Sequence, residues 1–126
     1  MPTSVKDLLA AARAAVSPIT PNDAQALLGR EGALLLDVRD APEVAATGRL
    51  KGALNVSRGM LEFRADADTP YHDPAFATER AVIVYCASGG RSALACKTLK
   101  DMGFARVHNL GGFKDAAAAG FEVEGA

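Results

Sequence analysis

The chain has no tryptophan, two cysteines and two histidines in its 126 residues. Two cysteines cannot build a disulfide framework, and neither stands in a CxxC or Cys/His spacing of the kind that holds zinc. No metal and no cofactor are expected, and the cysteine usage suits a reducing compartment. An excess of one charge is also missing. Lys and Arg total 14 against 15 for Asp and Glu, a net charge of -1. That balance gives no electrostatic case for nucleic acid or an anionic membrane as partner. No apolar run approaches the length needed to cross a bilayer. Residues 8–16, LLAAARAAV, come nearest to a signal core, but Arg13 interrupts them and Asp7 precedes them. The expected location is cytoplasmic. No internal repeat stands out, and the only biased tract is the short alanine run at 116–119.

Hydrophobic residues make up 49% of the chain, enough for one domain with a real core at this length. Its chemistry centres on residues 82–92, VIVYCASGGRS. Val82, Ile83, Val84 and Tyr85 form an apolar run without polar alternation, the pattern of a strand buried on both faces in a parallel sheet. After Cys86 the chain turns small, with Ala87, Ser88, Gly89 and Gly90. Arg91 and Ser92 then open a segment of helical periodicity. Cys86 therefore belongs where a central strand ends and a helix begins, the edge at which open α/β sheets bind ligands. Adjacent glycines let successive N–H groups converge on one point, a nest for an anion. A thiol at such a nest titrates below its usual value of ~8.5. We read Cys86 as a nucleophile in an anion-binding cradle with Arg91 as a nearby charge, in preference to a structural cysteine closing a strand.

The remaining elements follow in order. Ser4 with Asp7 starts a helix through residue 16, a capping-box pattern. Its stripe of Val5, Leu8, Leu9, Ala12 and Val16 packs on the domain, in preference to forming a dimer interface. Residues 1–17 read as a helical extension and 18–126 as the main domain. Ile19-Thr20 reads as an edge strand, and Thr20-Pro21 opens a helix ended by Gly29. Residues 33–38 form a second buried strand, and 42–46 a short helix capped by Asp40. Residues 48–52 form a turn and 53–56 a strand. A helical fragment follows, then loop through residue 78. Residues 91–102 form a helix whose inward stripe includes Cys96, which makes Cys96 core. Residues 105–110 form the last strand, Gly111-Gly112 a turn, and 113–119 a final helix. At the end of the second strand, Asp37 suits a structural pairing, and Arg39 is open between structure and anion binding. His72 in the loop and His108 in a strand are better explained without chemistry.

Three blocks in series carry a resemblance to the single-domain rhodanese family. The first is DVRD at 37–40 with GRLKGALN at 48–55. The second is CASGGRS at 86–92. The third is NLGGF at 109–113, leading to Ala119-Gly120. The resemblance implies an α/β fold with a mostly parallel five-stranded sheet and helices on both faces. It implies sulfur transfer from thiosulfate or a persulfide donor, through a Cys86 persulfide, to cyanide or a thiol. Ala87, Ser88, Gly89, Gly90, Arg91 and Ser92 match the family's substrate-binding loop, and Arg39 matches a second cationic position. The implied partners are a small sulfur-containing anion and a thiol acceptor, with a protein donor or acceptor left open. Two positions depart from the pattern: Ala116 stands where the family commonly has Trp, and Arg49 where it often has His. A carrier module that takes persulfide only from a protein partner would share the Cys86 chemistry. A phosphatase or arsenate reductase would share the cradle, but cysteine phosphatases place the Arg one position later than Arg91.

Overall fold

The structure, a computed structural model, describes residues 2–125. Its centre is a parallel sheet of four strands in the order β3 (Leu54–Asn55), β1 (Leu34–Asp37), β4 (Val82–Cys86) and β5 (Val107–Gly112). The two middle strands are buried along their whole length, as their unbroken apolar sequences require. Side chains alternate across the sheet and divide the core in two. Leu34, Leu36, Val82, Val84 and Cys86 pack in one cluster with Ala95, Cys96 and Leu99. Leu35, Ile83 and Tyr85 pack in the other with Ala24, Phe113 and Phe121. Helices α1 (Val5–Ala15), α4 (Leu61–Ala65) and α5 (Gly90–Asp101) cover the first face. Helices α2 (Pro21–Glu31) and α6 (Phe113–Ala118) cover the second. Helix α3 (Ala41–Thr47) follows β1. None of the helices is long and apolar enough to cross a membrane, among the described residues.

The expected five-stranded sheet has four strands. The fifth is reduced to one bridge, Pro18 to Asn109, with the Ile19 N–H donating to the Asn109 carbonyl at 2.9 Å. Pro18 has no N–H of its own with which to extend the ladder. Residues 48–52 are more than a turn. Within them β2 (Arg49–Leu50) pairs antiparallel with β6 (Val123–Glu124), a contact between distant segments. Helix α2 runs through Gly29 and stops at Gly32, which takes the left-handed conformation that ends helices. Gly111 and Gly112 belong to β5, where a bulge opposite Val84 and Tyr85 carries the chain past the Cys86 loop. The caps follow expectation: Ser4 and Asp7 close a capping box on α1, and Asp40 stands at the N-cap of α3, where its N–H donates to the Glu43 carboxylate at 3.1 Å. Ala116 is buried with Phe113 and Phe121, and Arg49 pairs with Glu124 at 3.2 Å.

Candidate active site

Strand β4 ends at Cys86 and α5 begins at Gly90, so a loop of only three residues joins them. That shortness forces a curl. Gly89 takes it at φ 101°, a conformation side chains disfavour. The curl turns amides toward the sulfur: the Gly89 N–H donates to Cys86 Sγ at 3.0 Å and the Ser92 N–H at 3.4 Å. The Ser92 hydroxyl stands 3.5 Å from the same sulfur. Ala87 and Ser88 form the exposed rim, while Gly89 and Ser92 are buried beneath it. Burial alone would push the Cys86 thiol up. The Ser92 hydroxyl and the N–H groups of Ser92, Gly89 and Ser88 outweigh it and leave the thiol below its ordinary value.

The loop is braced from β5. Asn109 Oδ1 accepts from the Ser92 hydroxyl at 2.8 Å and from the Gly111 N–H at 3.0 Å. Gly112 lies so close that a Cβ there would stand 2.9 Å from the Ala87 carbonyl oxygen. The NLGGF block is thus a buttress for the loop rather than a turn.

The two arginines occupy different settings. Arg91 holds Glu43 of α3 through two bonds, at 2.6 and 2.9 Å. This bond to Arg91, helped by the Asp40 N–H, keeps the Glu43 carboxyl down at about 2. Arg91 therefore lies beside the loop with its charge already met. Arg39 is buried, with its Nε and Nη2 on the Asp37 carboxylate, Nη1 on Thr47 and Nη2 also on the Gly48 carbonyl. Its guanidinium lies 4.4 Å from the centre of the Phe113 ring. Of the two roles left open for Arg39, this geometry is that of a structural pair with Asp37. Asn55 secures the pair by donating to the Asp37 and Arg39 carbonyls.

Other candidates lie apart from the loop. Cys96 is buried in the apolar face of α5, and desolvation pushes its thiol up to about 12. His72 lines a cleft with Asp66 and Phe104, and its ring faces the Phe76 carbonyl. His108 sits in β5, lowered chiefly by burial. Glu43 and Asn109 are contributors that sequence reasoning left without a role. Glu43 stood inside a short helix with nothing to link it to Arg91, although Asn109 opens the NLGGF block.

A family profile described as a rhodanese-like domain matches residues 20–119. The chain belongs to the rhodanese-like family. It is 38% identical over 100 residues to a thiosulfate sulfurtransferase, GlpE, of Pseudomonas fluorescens, covering 76% of this chain and 80% of that one. Among solved structures, it superposes on a polysulfide-sulfur transferase homodimer from Wolinella succinogenes with a TM-score of 0.75 and 32% identity. That match covers 96% of this chain and 87% of the other. A Rhodopseudomonas palustris protein described as a possible tyrosine phosphatase matches with a TM-score of 0.87 and 38% identity. It covers 98% of this chain and 99% of that one. The rhodanese-like chain described here is accordingly a sulfurtransferase in enzyme class.

Proposed function

We infer that Cys86 is the sulfur-carrying nucleophile and that the sulfur donor is thiosulfate or a similar sulfane anion. The observation that carries this reading is the convergence of N–H groups on Cys86 Sγ in a chain of this family. The thiolate attacks the outer sulfur of thiosulfate. A bond forms from Sγ to that sulfur, the donor's own S–S bond breaks, and its electron pair leaves with sulfite. The persulfide now bears the negative charge, and the amides of residues 88, 89 and 92 stabilise it as they stabilised the thiolate. A thiolate or cyanide then attacks the outer sulfur, and the electron pair of the broken bond returns to Cys86 Sγ. Two half-reactions through one covalent intermediate give ping-pong kinetics.

In this scheme Ser92 and Gly89 hold the reacting sulfur, and Ala87 and Ser88 frame its approach. Gly90 starts the helix, and Arg91 ties its first turn to Glu43 of α3. Arg39 supports the site by fixing the Asp37 strand end. The neighbour described as a phosphatase favours a second reading. Against it, Arg91 is spent on Glu43, leaving no free guanidinium to clasp a phosphate, and the loop is one residue short of the phosphatase spacing. Incubation with thiosulfate tests the proposal. The expected result is release of sulfite with a mass gain of one sulfur on the Cys86 peptide. Hydrolysis of a phosphate ester without sulfur uptake would overturn it.

A further inference from the structure

Beside the loop lies an open cavity of about 410 Å³ between α3 and the start of α6. The thiol-transfer scheme leaves it without a task. Its lining is mixed in a directed way. Phe113, Ala46 and Ala87 supply apolar surface, and Ala87 directly follows the nucleophile. Arg39 and Glu43 supply charge, but each is already paired, with Asp37 and Arg91 respectively. Lys114 also lines the cavity, is exposed, and forms no ion pair among the described residues. Asp115, its neighbour in sequence, is not part of the lining. The cavity thus offers an apolar surface next to the sulfur and a single unmatched positive charge. Its volume is that of a small-molecule site.

We propose that this cavity binds the sulfur acceptor, and that it selects an aliphatic thiol carrying a carboxylate. The aliphatic chain lies on Phe113 and Ala46, the carboxylate meets Lys114 Nζ, and the thiol points past Ala87 to the Cys86 persulfide. The acceptor enters as a thiolate. Its sulfur bonds to the outer persulfide sulfur, and the Cys86 S–S bond breaks with its electron pair on Sγ. An acceptor persulfide leaves, with no net change in protons or oxidation equivalents. The inference rests on Cys86 being the sulfur carrier.

The test loads Cys86 with sulfur from thiosulfate or polysulfide, verifies the added mass, and then follows its discharge. Three short thiols serve as probes: 3-mercaptopropionate, neutral 2-mercaptoethanol and cationic cysteamine. Their intrinsic reactivities cancel when each is compared between the wild type and a Lys114 variant. Lys114→Gln is expected to weaken saturation by 3-mercaptopropionate by about fivefold at most, the scale of an exposed ion pair. Lys114→Glu should weaken it further and favour cysteamine, with 2-mercaptoethanol changed least. Added salt should shrink these differences. Lys114 is exposed, so both variants keep the fold. Equal effects on all three thiols would overturn the acceptor site while leaving sulfur transfer intact. A wild-type chain that takes up sulfur from neither donor would instead overturn the sulfur-carrier reading, and the acceptor site with it.

Discussion

Cys86 and Cys96 are the same residue type, hidden from water to the same degree, with 1% and 0% exposure. They pack in one core cluster. Yet one thiol is held below its ordinary value and the other is pushed up to about 12. Burial acts on both in the same direction, so burial does not explain the difference. The difference lies in the backbone around each sulfur. Cys96 is in the middle of α5, where every nearby N–H is committed to the helix. Cys86 precedes that helix, where the first amides have no carbonyl partner. The loop turns those orphan donors onto sulfur. The lowered thiol is the product of a helix start, and the raised one of a helix interior.

That contrast breaks most sharply at the sulfur itself. Cys86→Ser is expected to abolish sulfur uptake from thiosulfate, while Cys96→Ala retains it and costs about 1 kcal/mol of stability through lost packing. Sulfite release and a urea titration read the two effects. The buried Asp37–Arg39 pair comes next. Arg39→Leu leaves a fully buried carboxylate without its partner and should cost about 3–5 kcal/mol in a denaturant titration. A stability loss below 1 kcal/mol would show that the pair is not what fixes the end of β1. Gly112→Ala should push the Ala87 carbonyl away and disturb the cradle. We expect about 1–3 kcal/mol of destabilisation, with sulfite release falling roughly ten- to hundredfold.

The smallest effect is a tilt in the stability–pH curve. Between the lowered Cys86 value and the ordinary thiol value, the unfolded chain binds the proton that the native chain has lost. Stability therefore rises with pH in that window, by up to about 1.4 kcal/mol per unit. Above the ordinary value of ~8.5 the sign reverses, because Cys96 keeps its proton in the native state up to about 12. Above ~10 the buried Tyr85 hydroxyl, also raised by desolvation, adds a decline of its own, so Cys96→Ala should remove only the decline between ~8.5 and ~10. A decline of equal slope in that variant would mean that Cys96 is not its source.

Much of the site was legible because its parts are local. The strand residues 82–86, the small loop and the start of α5 are contiguous, so their juxtaposition needs no tertiary information. The same holds for the Ser4–Asp7 box and for Asp40 at the N-cap of α3. What escaped is long-range. The Arg91–Glu43 bond joins residues far apart in sequence, and neither residue type announces its partner. The pairing of β2 with β6 is two residues long on each side, too short to show a strand pattern. Gly111-Gly112 carries the composition of a turn, but pairing with Tyr85 and Cys86 keeps it in β5 alongside the loop. The expected Ile19-Thr20 edge strand is left as one bridge beside Pro18, which has no N–H to extend the ladder.

The Ser92 hydroxyl and the main-chain amides of the loop hold the Cys86 thiol below its ordinary value. The most direct measurement is the rate of Cys86 alkylation by iodoacetamide across pH, read by peptide mass mapping in the native protein. The expected midpoint lies below the ordinary thiol value of ~8.5, with Cys96 unlabelled throughout. A midpoint at or above that value would contradict it.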